Sequence, residues 1–432
     1  MVARSAPANG RFPAANQIAF SPSNPDLVVV RATYGLLPSF DHGATWTFLC
    51  EDALGLPQGA DYDPAIALTA RQELVVGLIL PPGLEVSPDT GCNWSCAGGA
   101  LNNEAIADIA VRADAPDTVV ALTSTVFVDD AGGGEHSQVF QSTDDGASFA
   151  PLGIAIDPAV LVTTVEVAST DPHRLYVSGG RGFGPTRTAS LFVSMDDGAT
   201  WNEQPAPLDL TYESAVYIGG VDPTDADRVY LRTGGIGTSG EGHSRLFVTA
   251  NAGQTFSTVL TLTGEMLGFA LSPDGSTIYA GGVEDGLLVG DRASFTFAHR
   301  SNIHVECLAA RGSELWACAD QASGFFVGLS IDNGASFSAK LLRDGVKGPI
   351  ACSAGASSTV ACGADANAAQ CAGAPFALLC ATVGCERSTS GCHCTAAGVG
   401  KAMPAGLFVF AFAGAALWLS RHRHRSSSHR PE

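Results

Sequence analysis

The chain has 432 residues, 46% of them hydrophobic and 15% charged, so it is long enough to bury a large core. Its formal net charge is −20, and residues 1–400 hold 18 basic against 42 acidic side chains. Phosphate contacts need lysine and arginine, so this balance excludes nucleic acid as a partner. The 50 glycines and 23 prolines are typical of many short strands joined by turns.

The first ten residues, MVARSAPANG, lack the apolar segment of a secretion signal. Small residues and proline here are typical of a mature chain just past a cleavage site, so we expect a signal upstream of Met1. The twelve cysteines favour an oxidising compartment and disulfides. No CxxC pair has zinc-finger spacing to a second pair, so we predict neither a metal site nor a cofactor.

From residue 18 onward the chain repeats one order of elements. An apolar strand is followed by a turn rich in Pro and Asp, a second apolar strand, and a third strand leading to a further turn. Ile18–Phe20, Ser21–Asp26 and Leu27–Val30 show this order first, and Val167–Val177 and Leu271–Ala280 repeat it. β-branched and aromatic runs bounded by Pro, Asp and Gly predict strands. No sustained helical periodicity occurs before residue 350.

An eight-residue element, Ser-x-Asp-x-Gly-x-Thr-Trp, ends each third strand, as in Ser194–Trp201; we call it the repeat turn. Its Asp can accept backbone N–H groups, its Gly supplies a positive φ, and its final aromatic anchors the next strand. The Asp (or Asn), Gly and aromatic positions of its six legible copies are Asp41, Gly43, Trp46, Asp89, Gly91, Trp94, Asp144, Gly146, Phe149, Asp196, Gly198, Trp201, Asn251, Gly253, Phe256, Asp332, Gly334 and Phe337.

The spacing of these turns predicts the fold. Successive Asp or Asn positions are 48, 55, 52, 55 and 81 residues apart. The last interval suits two repeats of about 40 residues, within the range of propeller blades. Val289–Phe297 lies in that interval and ends in an aromatic-rich strand, so we interpret it as an eroded copy. The sequence therefore predicts an all-β, seven-bladed β-propeller with four-stranded blades over residues 1–348.

The repeat turn resembles the Asp-box, or BNR repeat, of sialidases and sortilin-like propellers. The resemblance implies that each turn joins the third and fourth strands of a blade, on the face away from the catalytic funnel. These residues are then structural. Long loops between second and third strands lie on the opposite face. Three consecutive blades carry such loops, Ser124–Gln138, Gly179–Ser190 and Thr233–Ser244, and their binding candidates are Glu135, His136, Arg181, Arg187, Glu241 and His243.

Sialidases with this repeat use an arginine triad, a Tyr/Glu pair and an acid/base Asp, and a two-carboxylate glycosidase needs acids facing each other across the centre. The resemblance points to Arg11, Asp61, Asp63, Tyr212 and Glu213 as catalytic candidates. The required arginines do not fall in matching places. The sequence therefore favours a non-catalytic propeller that binds an extracellular protein, peptide or glycan, with a glycoside hydrolase as the alternative.

Cysteine positions suggest particular disulfides. Cys307 and Cys318 lie on neighbouring strands around the turn Arg311–Ser313, so we expect them to pair. Either Cys92 or Cys96 is expected to reach Cys50. Cys352 and Cys362 could belong to a further strand pair against the propeller.

After residue 348 the repeats stop. Residues 349–395 are rich in Ala, Gly and Cys and suggest a disulfide-stapled stalk or appendage. A cysteine motif with Cys392 and Cys394 closes this stretch. The segment 396–425 follows and contains the apolar run Met403–Leu419 and the basic run Arg421–Arg425. Residues 426–432 are a disordered basic tail by composition. This order resembles the MYXO-CTERM sorting signal of myxobacterial surface proteins, which implies processing at Cys392 or Cys394. An ordinary single-pass anchor is the alternative. Either way we expect an exported protein attached to the cell surface or outer membrane by its tail.

Overall fold

The computed structural model describes residues 14–56, 62–101, 104–124, 137–235, 243–342, 345–353 and 355–362. These residues form seven antiparallel sheets, each a meander whose strands are hydrogen-bonded in chain order. The predicted seven-bladed all-β propeller is therefore confirmed. One detail differs: six sheets have four strands, but the third has five. Gly98–Gly99 pairs in parallel with its outer strand and adds the fifth.

The blades are numbered in chain order. Blade 1 comprises β1 (Ala15–Phe20), β2 (Val28–Ala32), β3 (Gly35–Ser39) and β4 (Leu49–Cys50). Blade 2 comprises β5 (Ala65–Leu68), β6 (Leu74–Leu78), β7 (Gly83–Ser87) and β8 (Ser95–Cys96), and the added strand is β9 (Gly98–Gly99). Blade 3 comprises β10 (Ile106–Val111), β11 (Val119–Thr123), β12 (Gln138–Ser142) and β13 (Ser148–Pro151). Blade 4 comprises β14 (Leu161–Val167), β15 (Leu175–Arg181), β16 (Thr188–Ser194) and β17 (Asn202–Pro205).

The remaining blades follow the same order. Blade 5 comprises β18 (Glu213–Val221), β19 (Val229–Gly235), β20 (Ser244–Thr249) and β21 (Ser257–Leu262). Blade 6 comprises β22 (Gly268–Leu271), β23 (Thr277–Gly282), β24 (Gly286–Asp291) and β25 (Phe297–Ser301). Blade 7 comprises β26 (Cys307–Arg311), β27 (Glu314–Cys318), β28 (Val327–Ser330) and β29 (Ser338–Leu341). Among the described residues, the helices are three short 3-10 turns, Glu51–Leu54, Gly184–Thr186 and Gln321–Ser323, and α1 (Ser357–Cys362).

Each repeat turn joins the third and fourth strands of its blade and is held by the same hydrogen bonds. In blade 4 the Ser194 hydroxyl donates to Asp196 Oδ1 at 2.8 Å and accepts from Gly198 N at 2.8 Å. Asp196 also accepts from the backbone N and the hydroxyl of Thr200 at 2.9 and 2.7 Å. These bonds hold the pKa of the Asp196 carboxyl below its usual value. The eroded copy retains part of this pattern, because Asp291 accepts from Ala293 N and Ser294 N.

The hydrophobic core lies between neighbouring sheets. Indole N–H groups of the repeat turns also reach across these interfaces. Trp46 of blade 1 donates to Lys340 O in blade 7 at 3.0 Å, and Trp201 of blade 4 donates to Ile154 O, which follows the outer strand of blade 3, at 3.1 Å. The repeat turns of blades 1 and 4 are therefore each fixed to the preceding blade by their tryptophan.

Residues 345–353 and 355–362, which we call the strap, lie against blades 1 and 2. Phe48 N donates to Gly348 O at 2.7 Å, and Ile350 N donates to Phe48 O at 2.9 Å, so the strap extends the short outer edge of blade 1. Farther on, the Ser358 hydroxyl accepts from Trp94 Nε1 at 3.0 Å. The strap thus gives Trp94 the acceptor that the preceding blade gives Trp46 and Trp201.

The disulfides agree only in part with expectation. Cys307 and Cys318 form the predicted bond between paired positions of β26 and β27. The pairing of Cys50 with Cys92 or Cys96 was wrong, because Cys92 bonds to Cys352 of the strap while the Cys96 thiol donates to Glu85 Oε1. Cys50 is itself disulfide-bonded. The prediction that Cys352 and Cys362 belong to a further strand pair was also wrong, because Cys352 lies outside any strand and Cys362 ends α1.

Within the described ranges, no helix combines the length and the apolar character needed to cross a membrane. The apolar run 403–419 and the processing candidates Cys392 and Cys394 lie outside those ranges.

Candidate functional site

The propeller has two faces with different side chains. We call the face with the repeat turns the turn face. The loop face carries the connections between blades and the loops between second and third strands. Of the sequence candidates, Asp63, Arg181, Arg187, Tyr212, Glu213 and His243 belong to the loop face, and Arg11, Asp61, Glu135, His136 and Glu241 lie outside the described residues.

Arg187 fixes the loop of blade 4 to the connection that enters blade 5. Its Nε donates to Glu213 O at 2.9 Å and its Nη2 donates to Leu210 O at 2.8 Å. The guanidinium therefore holds residues 182–187 against residues 209–213. No described carboxylate forms an ion pair with Arg187, so its positive charge is held in place by carbonyl groups alone. We call residues 181–188, 207–214 and 243 together the rim site.

Large side chains of the rim site project into solvent. Phe183 is 58% exposed, and Leu210 and Tyr212 are 41% and 38% exposed. The Tyr212 ring contacts the ring of His243 edge to face, with centroids 4.9 Å apart. Two binding candidates and one catalytic candidate, Arg187, His243 and Tyr212, are thus brought together here.

Glu213, the catalytic candidate next to Tyr212, is turned inward. It is 1% exposed, and Arg245 binds its two carboxylate oxygens through Nε and Nη2 at 2.6 Å each. The Thr233 hydroxyl and Asp209 N donate to the same carboxylate at 2.9 and 2.7 Å. A carboxylate with four donors and no exposure has no free face for a substrate. Glu213 supports the start of β18 rather than facing the centre of the ring.

The other two candidates of this face have local partners. Arg181 forms ion pairs with Asp157 at 3.1 Å and with Glu203, both in the region of blade 4. Asp63 accepts from Asn16 Nδ2, and Arg31 donates to Asn16 Oδ1 at 2.8 Å. Asp63 lies between blades 1 and 2, far along the ring from the rim site of blades 4 and 5.

A cavity of about 270 Å³ lies in the central channel. It is lined by the last residues of four inner strands, which places it at the turn-face end: Gln17, Ala19, Phe20, Ile66, Ala67, Leu68, Ile109, Ala110, Val111 and Glu166. None of these residues is among the sequence-predicted site residues. The one available signal was the isolated acidic residue within the apolar strand Leu161–Val167.

Two carboxyl groups of the inner strands have raised pKa values. Burial, together with the field of Asp108, raises the pKa of Glu166 to about 8. Burial raises the pKa of Asp108 to about 6, although Val165 N donates to its Oδ2 at 3.0 Å. That backbone bond makes Asp108 a tie between β10 and β14, whereas Glu166 faces the cavity. In the part of the chain that the structure describes, no three His, Cys, Asp or Glu side chains are grouped to hold a metal ion.

No protein-family model matches the sequence, and no curated protein sequence matches it. Solved structures do resemble the fold. An ancestral GH74 enzyme aligns with a TM-score of 0.53 and 16% identity over 76% of this chain and 46% of its own. YCF48 from Cyanidioschyzon merolae aligns with a TM-score of 0.48 and 14% identity over 71% and 92%. A GH74 xyloglucanase from Xanthomonas campestris aligns with a TM-score of 0.38 and 17% identity over 77% and 55%.

This chain thus spans about half the length of the ancestral GH74 enzyme. Identities below 25% show a shared β-propeller fold alone. A shared fold does not decide the function.

Proposed function

We propose that this chain is an exported, surface-anchored β-propeller of the Asp-box type that binds an extracellular protein, peptide or glycan at the rim site, without catalysis. The observation that carries the proposal is the contrast between Glu213 and its exposed neighbours. The carboxylate that a sialidase-like reaction requires is buried and fully hydrogen-bonded. The exposed groups around it are aromatic and cationic, which suits recognition rather than bond cleavage.

The rim site combines rigidity with exposed surface. Arg187 anchors the blade 4 loop through two hydrogen bonds, so Phe183, Leu210 and Tyr212 are presented with little entropy left to lose on binding. Aromatic side chains and arginine are the residue types that dominate binding hot spots. A ligand that stacks on Phe183 or Tyr212 while accepting from the Arg187 guanidinium fits this arrangement.

The binding proposal is tested with arrays of glycans and peptides probed by the full-length chain. The double variant Phe183→Ala, Tyr212→Ala should weaken any captured ligand at least tenfold, because it removes both exposed rings. The matched control is Ile331→Ala on the turn face, an apolar side chain that is 79% exposed. Equal binding by the double variant and the wild type would remove the rim site as the binding surface.

Export and anchoring are proposed from the cysteines and the tail. The disulfides Cys92–Cys352 and Cys307–Cys318 are typical of oxidising compartments. The tail from Cys392 through Met403–Leu419 to Arg425 supplies the order of a MYXO-CTERM-like sorting signal. Deleting residues 396–432 should release the propeller into the medium. Replacing Cys392 and Cys394 by Ala should impair retention if the tail is a sorting signal; normal retention with an intact tail would favour a plain anchor.

A glycoside hydrolase is the second candidate, favoured by the raised pKa values of Glu166 and Asp108 in the channel. An acid kept protonated near neutral pH is what the general acid of a glycosidase requires. The test is hydrolysis of sialosides and of xyloglucan, the polymer named for one structural neighbour, by the wild type and by Glu166→Gln. Turnover that this variant abolishes would establish the hydrolase; absence of turnover on every substrate would favour the binding protein.

A further inference from the structure

The outer strand of each blade has a free edge, and this chain protects most of these edges against pairing with a further strand. The strap covers the edge of blade 1 through the pairing of Phe48 with Pro349, and β9 covers β13 of blade 3. The outer strand of blade 2, β8, has only two residues. β17 ends in Pro205, and β25 and β29 contain Arg300 and Lys340. Covering, short length, proline and charge all hinder the addition of a strand.

The outer strand of blade 5 has none of these four protections among the described residues. β21 has six residues, more than any other outer strand, and contains neither a charged residue nor a proline. It shares a bulge with β25 and β29, but its bulged residue is Val259, whereas theirs are Arg300 and Lys340. No described strand pairs with β21 on the side away from β20. Its outer edge is therefore open.

Thr261 directs its backbone groups to this open edge. It lies opposite Arg245 of β20, and Arg245 N donates to the Thr233 hydroxyl of β19 at 2.8 Å. Because Arg245 turns its N–H away from β21, the two opposite residues are a non-hydrogen-bonded pair. Both residues of such a pair direct their N–H and C=O groups away from each other. The N–H and C=O of Thr261 therefore point outward, and no described backbone group binds them.

The loop-face end of β21 is held in place and adjoins the rim site. Asp285 of blade 6 accepts from the backbone N–H groups of the two residues that follow the strand, at 2.9 and 2.8 Å. Leu262, the last residue of β21, pairs with Ser244, and Ser244 directly follows His243 of the rim site. A ligand that pairs with the end of β21 therefore continues into the rim site.

Negative charge lies at this end of β21. The exposed Glu284 packs against Gly264, where an added Cβ would collide with its carboxylate. No described Lys, Arg or His forms an ion pair with Glu284. The chain as a whole is acidic, since residues 1–400 hold 42 acidic against 18 basic side chains. A ligand of complementary charge is therefore basic.

We propose that the outer edge of blade 5 binds an extended basic peptide of another protein, which adds a fifth strand to β21 and continues into the rim site. This peptide site rests on the binding function proposed above and narrows its ligand to a peptide. Thr261 supplies one N–H and one C=O to the added strand. Arg187 already donates to two main-chain carbonyl groups, and a peptide offers it more. A short pairing has a precedent in this molecule, because β9 covers β13 with two residues.

Panning a displayed library of random dodecapeptides on the full-length chain supplies the probes. Enriched peptides should be rich in β-branched residues and contain Lys or Arg. Thr261→Pro should weaken each of them by about tenfold or more, because proline cannot donate to an added strand. Thr261→Val is the matched control, because it keeps the N–H and nearly the same side-chain shape, and its affinity should equal that of the wild type.

Hydrogen exchange needs no variant and therefore stands even if Thr261→Pro folds poorly. Binding of an enriched peptide to the wild type should slow exchange in residues 257–262. No enriched peptide, unchanged exchange in this range, or equal binding by a folded Thr261→Pro variant would each overturn the proposal. Slow exchange of the same range in the peptide-free chain, or a dimer that Thr261→Pro dissociates, would also overturn it, because the edge would then be occupied by this chain or a second copy.

The rim variant separates this proposal from the function on which it rests. Peptides or glycans that lose affinity in Phe183→Ala, Tyr212→Ala but bind Thr261→Pro as they bind the wild type would leave the rim site as the binding surface and refute the added strand. Ligands that bind both variants as tightly as the wild type would refute the peptide site and the rim site together.

Discussion

Removal of the strap disulfide, Cys92–Cys352, should cost the fold much stability although it changes few atoms. Cys92 and Cys352 are 260 residues apart in sequence, with Cα atoms 5.5 Å apart. In the chain-entropy account, a cross-link stabilises the native state by restricting the unfolded chain, and the effect grows with the logarithm of the loop length. Applied to this separation, that relation gives about 6 kcal/mol at 25 °C.

The disulfide of blade 7 provides a comparison for this free energy within the same molecule. Cys307 and Cys318 are 11 residues apart, and the same relation gives about 3 kcal/mol for their bond. Both figures are upper bounds, since measured values are commonly lower and the Cys50 disulfide stays intact in either variant. The strap variant should therefore lose more stability than the blade 7 variant, by up to about twofold.

The assay is urea unfolding of the full-length chain under non-reducing conditions, with tryptophan fluorescence as the signal. The double variants Cys92→Ser, Cys352→Ser and Cys307→Ser, Cys318→Ser are compared with the wild type. Both cysteines are replaced each time, so no unpaired thiol remains to exchange. A smaller loss for the strap variant than for the blade 7 variant would refute the entropic reasoning.

Hydrogen exchange distinguishes a change in global stability from local release of the strap. Ser358 N donates to Cys92 O, and Trp94 Nε1 donates to Ser358 Oγ, so these contacts report the strap directly. If the disulfide acts on the unfolded chain, exchange should accelerate throughout the propeller in the strap variant. Acceleration confined to residues 345–362 would show that the bond merely holds the strap in place.

Further predictions concern single carboxylates. Asp332→Ala should lower the free energy of unfolding more than Asp332→Asn does, measured by urea unfolding, because Asn251 holds the same turn in blade 5. Glu213→Gln should cost about 3 kcal/mol by leaving Arg245 without its carboxylate; a loss below 1 would contradict the structural role given to the pair. Because the pKa of Glu166 is raised, its contribution to the free energy of unfolding is full below about pH 4.5. That contribution is lost as the pH rises through 8, by at most about 5 kcal/mol. In the Glu166→Gln variant, the free energy of unfolding measured with urea should therefore fall less between pH 5 and pH 9 than it does in the wild type. An equal fall would show that other groups cause this pH dependence.

Local chemistry explains why the fold could be predicted from sequence. The repeat turn needs Ser, Asp and Gly at fixed positions because each makes a particular hydrogen bond, so six copies remained legible and their spacing gave the blade count. Spacing also located the eroded copy at Asp291, which keeps only part of the bonding. One feature left no signal: the residue after each Asp has a positive φ, as at His42, Thr90 and Ala252, where side chains of unlike type occupy it.

The site could be predicted only in part, because its contacts join distant segments. Arg187 and His243 were expected on one rim, and they do lie beside Tyr212. The burial of Glu213 depends on Arg245, which is 32 residues away on another strand, and no local pattern reveals that pairing. The channel cavity needs side chains from four blades at once, so Glu166 looks in sequence like any polar residue of a half-buried strand.

The course of the strap also decides how the protein would respond to mechanical load. The chain continues past residue 362 to residue 432, and a pull on that continuation reaches α1 first and Cys352 next. At Cys352 the force divides, and one covalent route leads into blade 2 through Cys92, while Cys50 of blade 1 carries a further disulfide. The pairing of Phe48 with Pro349 and the four strands of blade 7 are then spared, because the tension bypasses them. A propeller tethered by its tail would therefore have its second blade covalently linked to the tether and would not unzip from its last.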